Sequence, residues 1–474
     1  MPHILPNSTR LCGNRLASWA LELVAALVLL GFVSASAEPA QPAALRRVGA
    51  TDAFFKLGFK FNSASTCSSV TCHGRGLPAD GAAGAPGESS YTLWHVDRTA
   101  DELADPHHSA FSQLASDRGK SITKAMNLDD ASVMERCSSC HAPAPPHGLR
   151  TSSFQLTESV NCDSCHGPSG DSVSTTQKGW AELHQKKGWA QAQRGNAAAS
   201  ARDALLEQFG FYDNRPLVHR ARRCVECHLT IDARIEEAGH PPPAFEMCWF
   251  SAMYPNRHWA DPTEHYFGVR LWAAGQVAAL EEEMLQLASL AEAGASDRDV
   301  IIAYNRAMAY YTVFSPLFST GAVKGSIAQL ARELTSARAA LRGAAMRTEL
   351  ARAARAGAAV ALNLGEVVEA FVPNRTSTIK VLAAILGQAR TADTLGGFGV
   401  EQQRDAIFAL YNGYASSGDA EKSAEDTRSF IGQSLFPIDA RLQIIPATDV
   451  SEQPDKKRQY IEALSAVKSK LKLP

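Results

Sequence analysis

Cys137-Ser-Ser-Cys-His141 and, after a short gap, Cys162-Asp-Ser-Cys-His166 decide how this chain is read. C-x-x-C-H is the attachment signature of a c-type haem. The two thiols add across the porphyrin vinyl groups, and the adjoining histidine places its imidazole on the iron. Two cysteines three positions apart lie on one side of a helical turn, with the next residue pointing at the metal. Cys224-Val-Glu-Cys-His228 is a third strict copy. Cys67, Cys72 and His73 form a looser one, with four residues between the thiols.

These motifs use eight of the ten cysteines. A disulfide framework needs no histidine after every second cysteine. Structural zinc sites close four ligands around the metal, and four repeats of Cys-then-His are a poor zinc count. A thioredoxin-like pair wants one C-x-x-C near a βαβ pattern. The expectation is four covalently attached haem c groups.

Residues 1–37 read as a secretory signal peptide. Arg10 and Arg15 precede the apolar run Leu23–Val33, and Ala35-Ser-Ala37 is an A-x-A cleavage site before Glu38. The run is short for a bilayer span, so export is favoured over an uncleaved anchor. Cys12 leaves with the leader. Export to the periplasm, with cleavage after Ala37, agrees with thioether attachment outside the cytoplasm. No further membrane span is expected.

The formal net charge is −2, which argues against a nucleic-acid partner. Residue types then divide the mature chain. Its cysteines lie between Cys67 and Cys248, its histidines between His73 and His265, and its tryptophans between Trp94 and Trp272. Metal chemistry therefore belongs to about 60–265. That region is interrupted by Gly81–Gly87 and Pro143–Pro146, as suits a chain wrapped around large apolar cofactors whose binding is coupled to folding. Short helices are expected at about 100–116 and 175–206. The second axial ligand decides what each haem does. Nine mature histidines remain after the proximal four: His95, His107, His108, His147, His184, His219, His240, His258 and His265.

From about Cys67 to Trp259 the chain resembles the cytochrome c-554 family of multihaem cytochromes. The resemblance rests on Cys67–Gly74 (C-x4-C-H-G), Asp105–Leu114 (D-P-H-x-x-A-F-x-x-L) and Val160–Pro168 (V-x-C-x-x-C-H-G-P). It continues through Trp180–His184 (W-x-x-x-H), the Arg222–His228 motif, Ala238–Glu246 (A-G-H-P-x-x-x-F-E) and His258-Trp259. It implies a tetrahaem domain with much irregular structure and closely packed haems. By motif position it implies distal ligation by His107, His184 and His240, with proximal ligation by His73, His141, His166 and His228. It makes His108 a neighbour rather than a ligand and gives His258 a structural part. Many relatives carry a histidine where this chain has Ala233; His219 is a substitute, or one haem lacks a sixth ligand. A five-coordinate haem occurs in this family, and the second motif, Cys137/Cys140/His141, is the place expected for it here. Cys248 reads as a thiol beside a haem.

Residues 266–474 read as an α-helical, bundle-like domain. Val277, Leu280, Met284 and Leu287 repeat on one helical face, Ser296-Asp-Arg-Asp299 resembles a helix start, and Arg332–Phe371 is rich in helix formers. Further helices are expected at about 376–391, 400–416, 419–434 and 453–470, with a short extended piece at Leu442–Ile445. The fold class expected is mainly α with much irregular structure, a multihaem domain followed by this helical one.

Three functions compete. The leading one is a non-catalytic electron carrier between a redox donor and a redox acceptor, whose contacts are small and transient. The second is a reductase or oxidase acting on a small nitrogen or sulfur species at one open haem, with His95, His147 or His219 as proton donor. The third is a haem subunit of a larger redox complex.

Overall fold

A computed structural model describes residues 54–75, 89–95, 105–184, 205–229, 231–241, 243, 245–253, 265–318, 323–341, 343–388, 391–415, 427, 430–431, 433–435 and 454–471. The leader, its cleavage site, Cys12, His258 and Leu442–Ile445 lie outside them. Among the described residues the fold is mainly helical. There is no strand, only the isolated bridges Phe59 to Ser172 and Phe61 to Arg150. No helix among them is long and apolar enough to cross a membrane.

The first half consists of short helices joined by turns: α1 (Ser90–His95), α2 (Asp117–Ala125), α3 (Asp130–His141), α4 (Cys162–His166) and α5 (Trp180–His184). Then come α6 (Leu217–His228), α7 (Ala233–Glu237) and α8 (Met247–Met253). The expected helix at 100–116 is a turn over its described part. Asp105-Pro106-His107 bends the chain, one short 3-10 turn covers Ser112–Ala115, and Ser116 caps α2 instead. The segment 175–206 is helical at α5 and again from Leu205. Aromatic rings do much of the packing in this half, with Trp180, Leu205 and Phe211 forming their own small cluster.

The second half consists of long helices: α9 (Phe267–Glu292), α10 (Asp297–Phe314), α11 (Lys324–Ala339), α12 (Arg347–Glu369), α13 (Arg375–Leu386), α14 (Thr391–Ala415) and α15 (Pro454–Leu471). Helix α9 is apolar nearly all round and forms the spine, as such a helix must be buried. Val277, Leu280, Met284 and Leu287 are each fully buried. It packs against α6, α8, α10, α12 and α14. Ser296 caps α10 by accepting from the Asp299 N–H. The helix-rich run 332–371 is split between α11 and α12, with Gly343 (φ +99°) in the connection.

The large core crosses between the halves. Leu217, Val218, Ala221, Val225 and Leu229 from α6 and its end are buried in the same cluster as α9 and α12. Three ion pairs reach the same way: Arg222 to Glu281 (2.9 Å), Arg298 to Glu237 (2.8 Å) and Arg306 to Glu236 (3.3 Å). The exposed Arg298 pair is worth little. The other two are more shielded from solvent. The long helices therefore hold α6, which carries the fourth motif, and α7, which follows it.

Candidate functional site

The three strict motifs share one local geometry. Helices α3, α4 and α6 each end at the motif histidine: His141, His166 and His228. A helical turn sets the two thiols side by side and carries the imidazole beyond them. Each helix has a reason to begin where it does. Asp129 caps α3 by accepting from the Ser132 N–H. Asn161 and Ser164 form a capping box on α4. Glu369, from the end of α12, accepts from the N–H groups of Leu217 (3.1 Å) and Val218 (2.9 Å) on α6. In the looser motif Cys67 ends a 3-10 turn, and His73 is pinned where its carbonyl accepts from the Tyr91 N–H.

Glycine follows two of these histidines for a steric reason. Gly167 has φ +82°, and a Cβ there would lie 2.2 Å from the Gly210 carbonyl oxygen. At Gly74 it would lie 1.8 Å from the Ser68 carbonyl oxygen.

The rings of the expected axial histidines come together in pairs. His73 faces His184 with ring centres 6.0 Å apart and planes at 12°. His107 faces His228 at 5.9 Å and 85°. His141 faces His240 at 6.2 Å and 84°. Each of the three non-motif histidines thus meets a different motif histidine. Among the described residues, no imidazole stands across from His166; its ring neighbours are Trp180 and Phe211, each at 6.2 Å.

At the second motif, where an unpaired haem was expected, the turn at Gly239 (φ +105°) brings His240 to His141. The remaining histidines are elsewhere. His95 and His108 pack with Tyr91 and Trp94, their own rings 5.1 Å apart. His147 and His265 are exposed. His219 stacks on Tyr212, whose N–H donates to the His166 carbonyl at 2.8 Å. Cys248 is half-buried beside Gly268, against the helical core.

These residues fit a haem. The facing imidazoles of His73 and His184, His107 and His228, and His141 and His240 would hold such a group between them, and it would supply one-electron chemistry at iron. Ring Nδ1 atoms are held from behind. His141 donates to the Ala110 carbonyl (2.7 Å), His240 to the Pro241 carbonyl (2.6 Å) and His107 to the Asp105 carboxylate (3.0 Å). With Nδ1 so engaged, Nε2 is the nitrogen through which each ring would ligate a metal. Burial, helped by neighbouring histidines, pushes His166 and His228 down to about 4. Burial also lowers His141 and His184. Neutral imidazole is the ligating form.

Burial raises the thiols of Cys165 to about 11 and Cys224 to about 12. Cys162 and Cys227 are pushed well up by hydrogen bonding to Cys67 and Cys140 and by burial. Protonated, buried thiols are not a reactive dithiol. Among the described residues no three His, Cys, Asp or Glu side chains form a ready-made metal cage.

The same contacts order the motifs in space. Cys67 meets Cys162, so the first motif touches the third. Arg223 Nε donates to the Ser164 carbonyl at 2.5 Å, tying the third to the fourth. Cys227 meets Cys140, tying the fourth to the second. Buried Asp163 strengthens the third motif by accepting from the N–H groups of Asn62 (2.8 Å) and Ser169 (3.1 Å).

Residues 95–167 match the family model of cytochrome c554 and c-prime. Over that segment the chain is similar to a family of c-type cytochromes. The matched segment contains His107 and the second and third motifs, and the family carries covalently bound haem c. No curated protein and no solved structure matches the chain.

The motifs name the histidines that come together, but neither which faces which nor what orients them. Asp105, Arg223 and Glu369 were missed as supports. Only Asp105 carried a signal, sitting two positions before His107, where an aspartate oxygen can reach back to the backbone.

Proposed function

We propose that the chain is an exported tetrahaem c-type cytochrome that carries single electrons between a redox donor and a redox acceptor. Covalent haem c supplies reversible one-electron exchange at iron. Cys67/Cys72, Cys137/Cys140, Cys162/Cys165 and Cys224/Cys227 hold the four groups. His73, His141, His166 and His228 bind on one side, and His184, His240 and His107 bind opposite His73, His141 and His228. The single observation that carries this reading is the one-to-one facing of three motif histidines by three others. The unbroken first–third–fourth–second contact order supports transport along the protein rather than isolated centres. Export to the periplasm, with a mature terminus at Glu38, follows from the leader and from the compartment that thioether attachment requires.

The bare side of His166 supports a second activity at the same site: binding or reduction of a small nitrogen or sulfur species. His219, tied to the His166 segment through Tyr212, is then the expected proton donor.

Intact mass of the haem-loaded exported protein tests the first reading. Four haem additions on a chain beginning at Glu38 are expected; fewer than four overturn it. Low-temperature EPR with added cyanide or nitric oxide tests the second. A high-spin, ligand-responsive quarter of the haem supports it, and a wholly low-spin, unresponsive spectrum removes it.

A further inference from the structure

The three supported axial imidazoles differ in what stands behind them. His141 and His240 donate to neutral backbone carbonyls, of Ala110 and Pro241. His107 donates to a carboxylate, Asp105 Oδ1, at 3.0 Å. The side chain of Asp105 is only 4% exposed, and that of His107 is 26% exposed. The arrangement is built into the backbone. The same Asp105 oxygen accepts the His107 backbone N–H at 2.9 Å. Pro106 between them fixes one backbone angle, and the His107 carbonyl accepts from the Val160 N–H. The carboxylate cannot swing away without losing both bonds.

We infer that Asp105 is a positioning and tuning residue that lowers the reduction potential of the haem held between His107 and His228 below that of the haem held between His141 and His240. This rests on the axial assignments proposed above. A buried negative charge accepting the Nδ1 proton gives the ring partial imidazolate character and raises its basicity. A more electron-rich ligand stabilises ferric over ferrous iron, so the potential falls. A backbone carbonyl makes the same bond without the net charge.

The test is an EPR-monitored redox titration of the full, haem-loaded protein and of Asp105→Asn. Asparagine keeps an oxygen acceptor of the same shape and removes the charge. His240→Ala converts the His141 haem to high-spin and so marks which of the two perpendicular-plane signals belongs to His107 and His228. In the unmodified protein that signal should titrate below the His141/His240 signal. In Asp105→Asn it should move to higher potential by more than any other, and Asp105→Glu should recover part of the shift. The reverse order in the unmodified protein overturns the inference, whatever the yield of the variants. So does an unmoved His107/His228 signal in Asp105→Asn, or a larger shift on another haem. Haem count by mass separates this from failure of the tetrahaem reading, because the inference needs only these two haems.

Discussion

Glu369 caps the helix that ends in His228, reaching it from a position 152 residues beyond the capped Leu217 in sequence. The carboxylate satisfies two otherwise unpaired N–H groups and places negative charge at the positive end of the α6 dipole. Pro216, the residue before α6, offers no side-chain cap. Glu369→Ala should therefore lower stability by about 0.5–2 kcal/mol, the range for losing an N-terminal cap. Thermal unfolding of the haem-loaded protein measures it; an unchanged midpoint would show the cap to be redundant.

Gly167→Ala should do more damage than an ordinary glycine replacement. The residue sits at φ +82°, and its new Cβ would strike the Gly210 carbonyl oxygen, which is backbone and cannot rotate away. Strain of about 1–3 kcal/mol is expected from such a conformation, with a lower yield of protein carrying all its haem. Gly148→Ala, at a position with open space around it, is the control and should be silent.

The angles between facing rings predict the EPR spectrum. His73 and His184 are nearly parallel at 12°, whereas His107/His228 and His141/His240 are crossed at 85° and 84°. Parallel axial planes give a rhombic low-spin signal, and crossed planes give a highly anisotropic one. One signal of the first kind, two of the second and one high-spin signal from His166 are expected. Three rhombic signals would refute the pairing.

The Arg222–Glu281 pair at the join between the halves has a defined pH signature. Burial raises the Glu281 carboxyl above its ordinary value near 4.5, although Arg222 pulls the other way. A carboxyl raised in the folded state binds its proton more tightly there than in the unfolded chain. Its contribution is thus fully present below about 4.5 and is lost as pH rises through the folded value. Glu281→Gln should flatten that part of the stability–pH curve. Equal slopes for both proteins across mildly acidic pH would contradict this.

What the residues alone disclosed follows from the range of the interactions involved. Cys140 and His141 are adjacent, so attachment and proximal ligation are written locally. The face containing Val277, Leu280, Met284 and Leu287 is likewise a local repeat, and it emerged as a helix buried at the centre of the core. The family likeness was legible from short motifs, and the family model matches it over residues 95–167. The pairing of His107 with His228 was not legible, because the two meet only through the fold. His166 shows the same limit. Nothing in Cys162-Asp-Ser-Cys-His166 distinguishes it from the other strict motifs; the difference lies in Trp180 and Phe211, which lie near its ring where no second imidazole does. The turn at Asp105–His107 was misjudged as helix because a proline between two polar side chains favours a local bend over helical hydrogen bonding.

The shared core of α6 with α9 and α12 sets the fourth motif apart from the other three. The helical segments of the first three motifs take their N-terminal caps from the residues just before them, Ser63, Asp129 and Asn161. The fourth motif lies on a helix whose apolar face and N-terminal cap are supplied by chain synthesised later, up to Glu369. The C-terminal half thus completes the fourth motif, and a chain truncated before Glu369 would leave the motif helix without its cap.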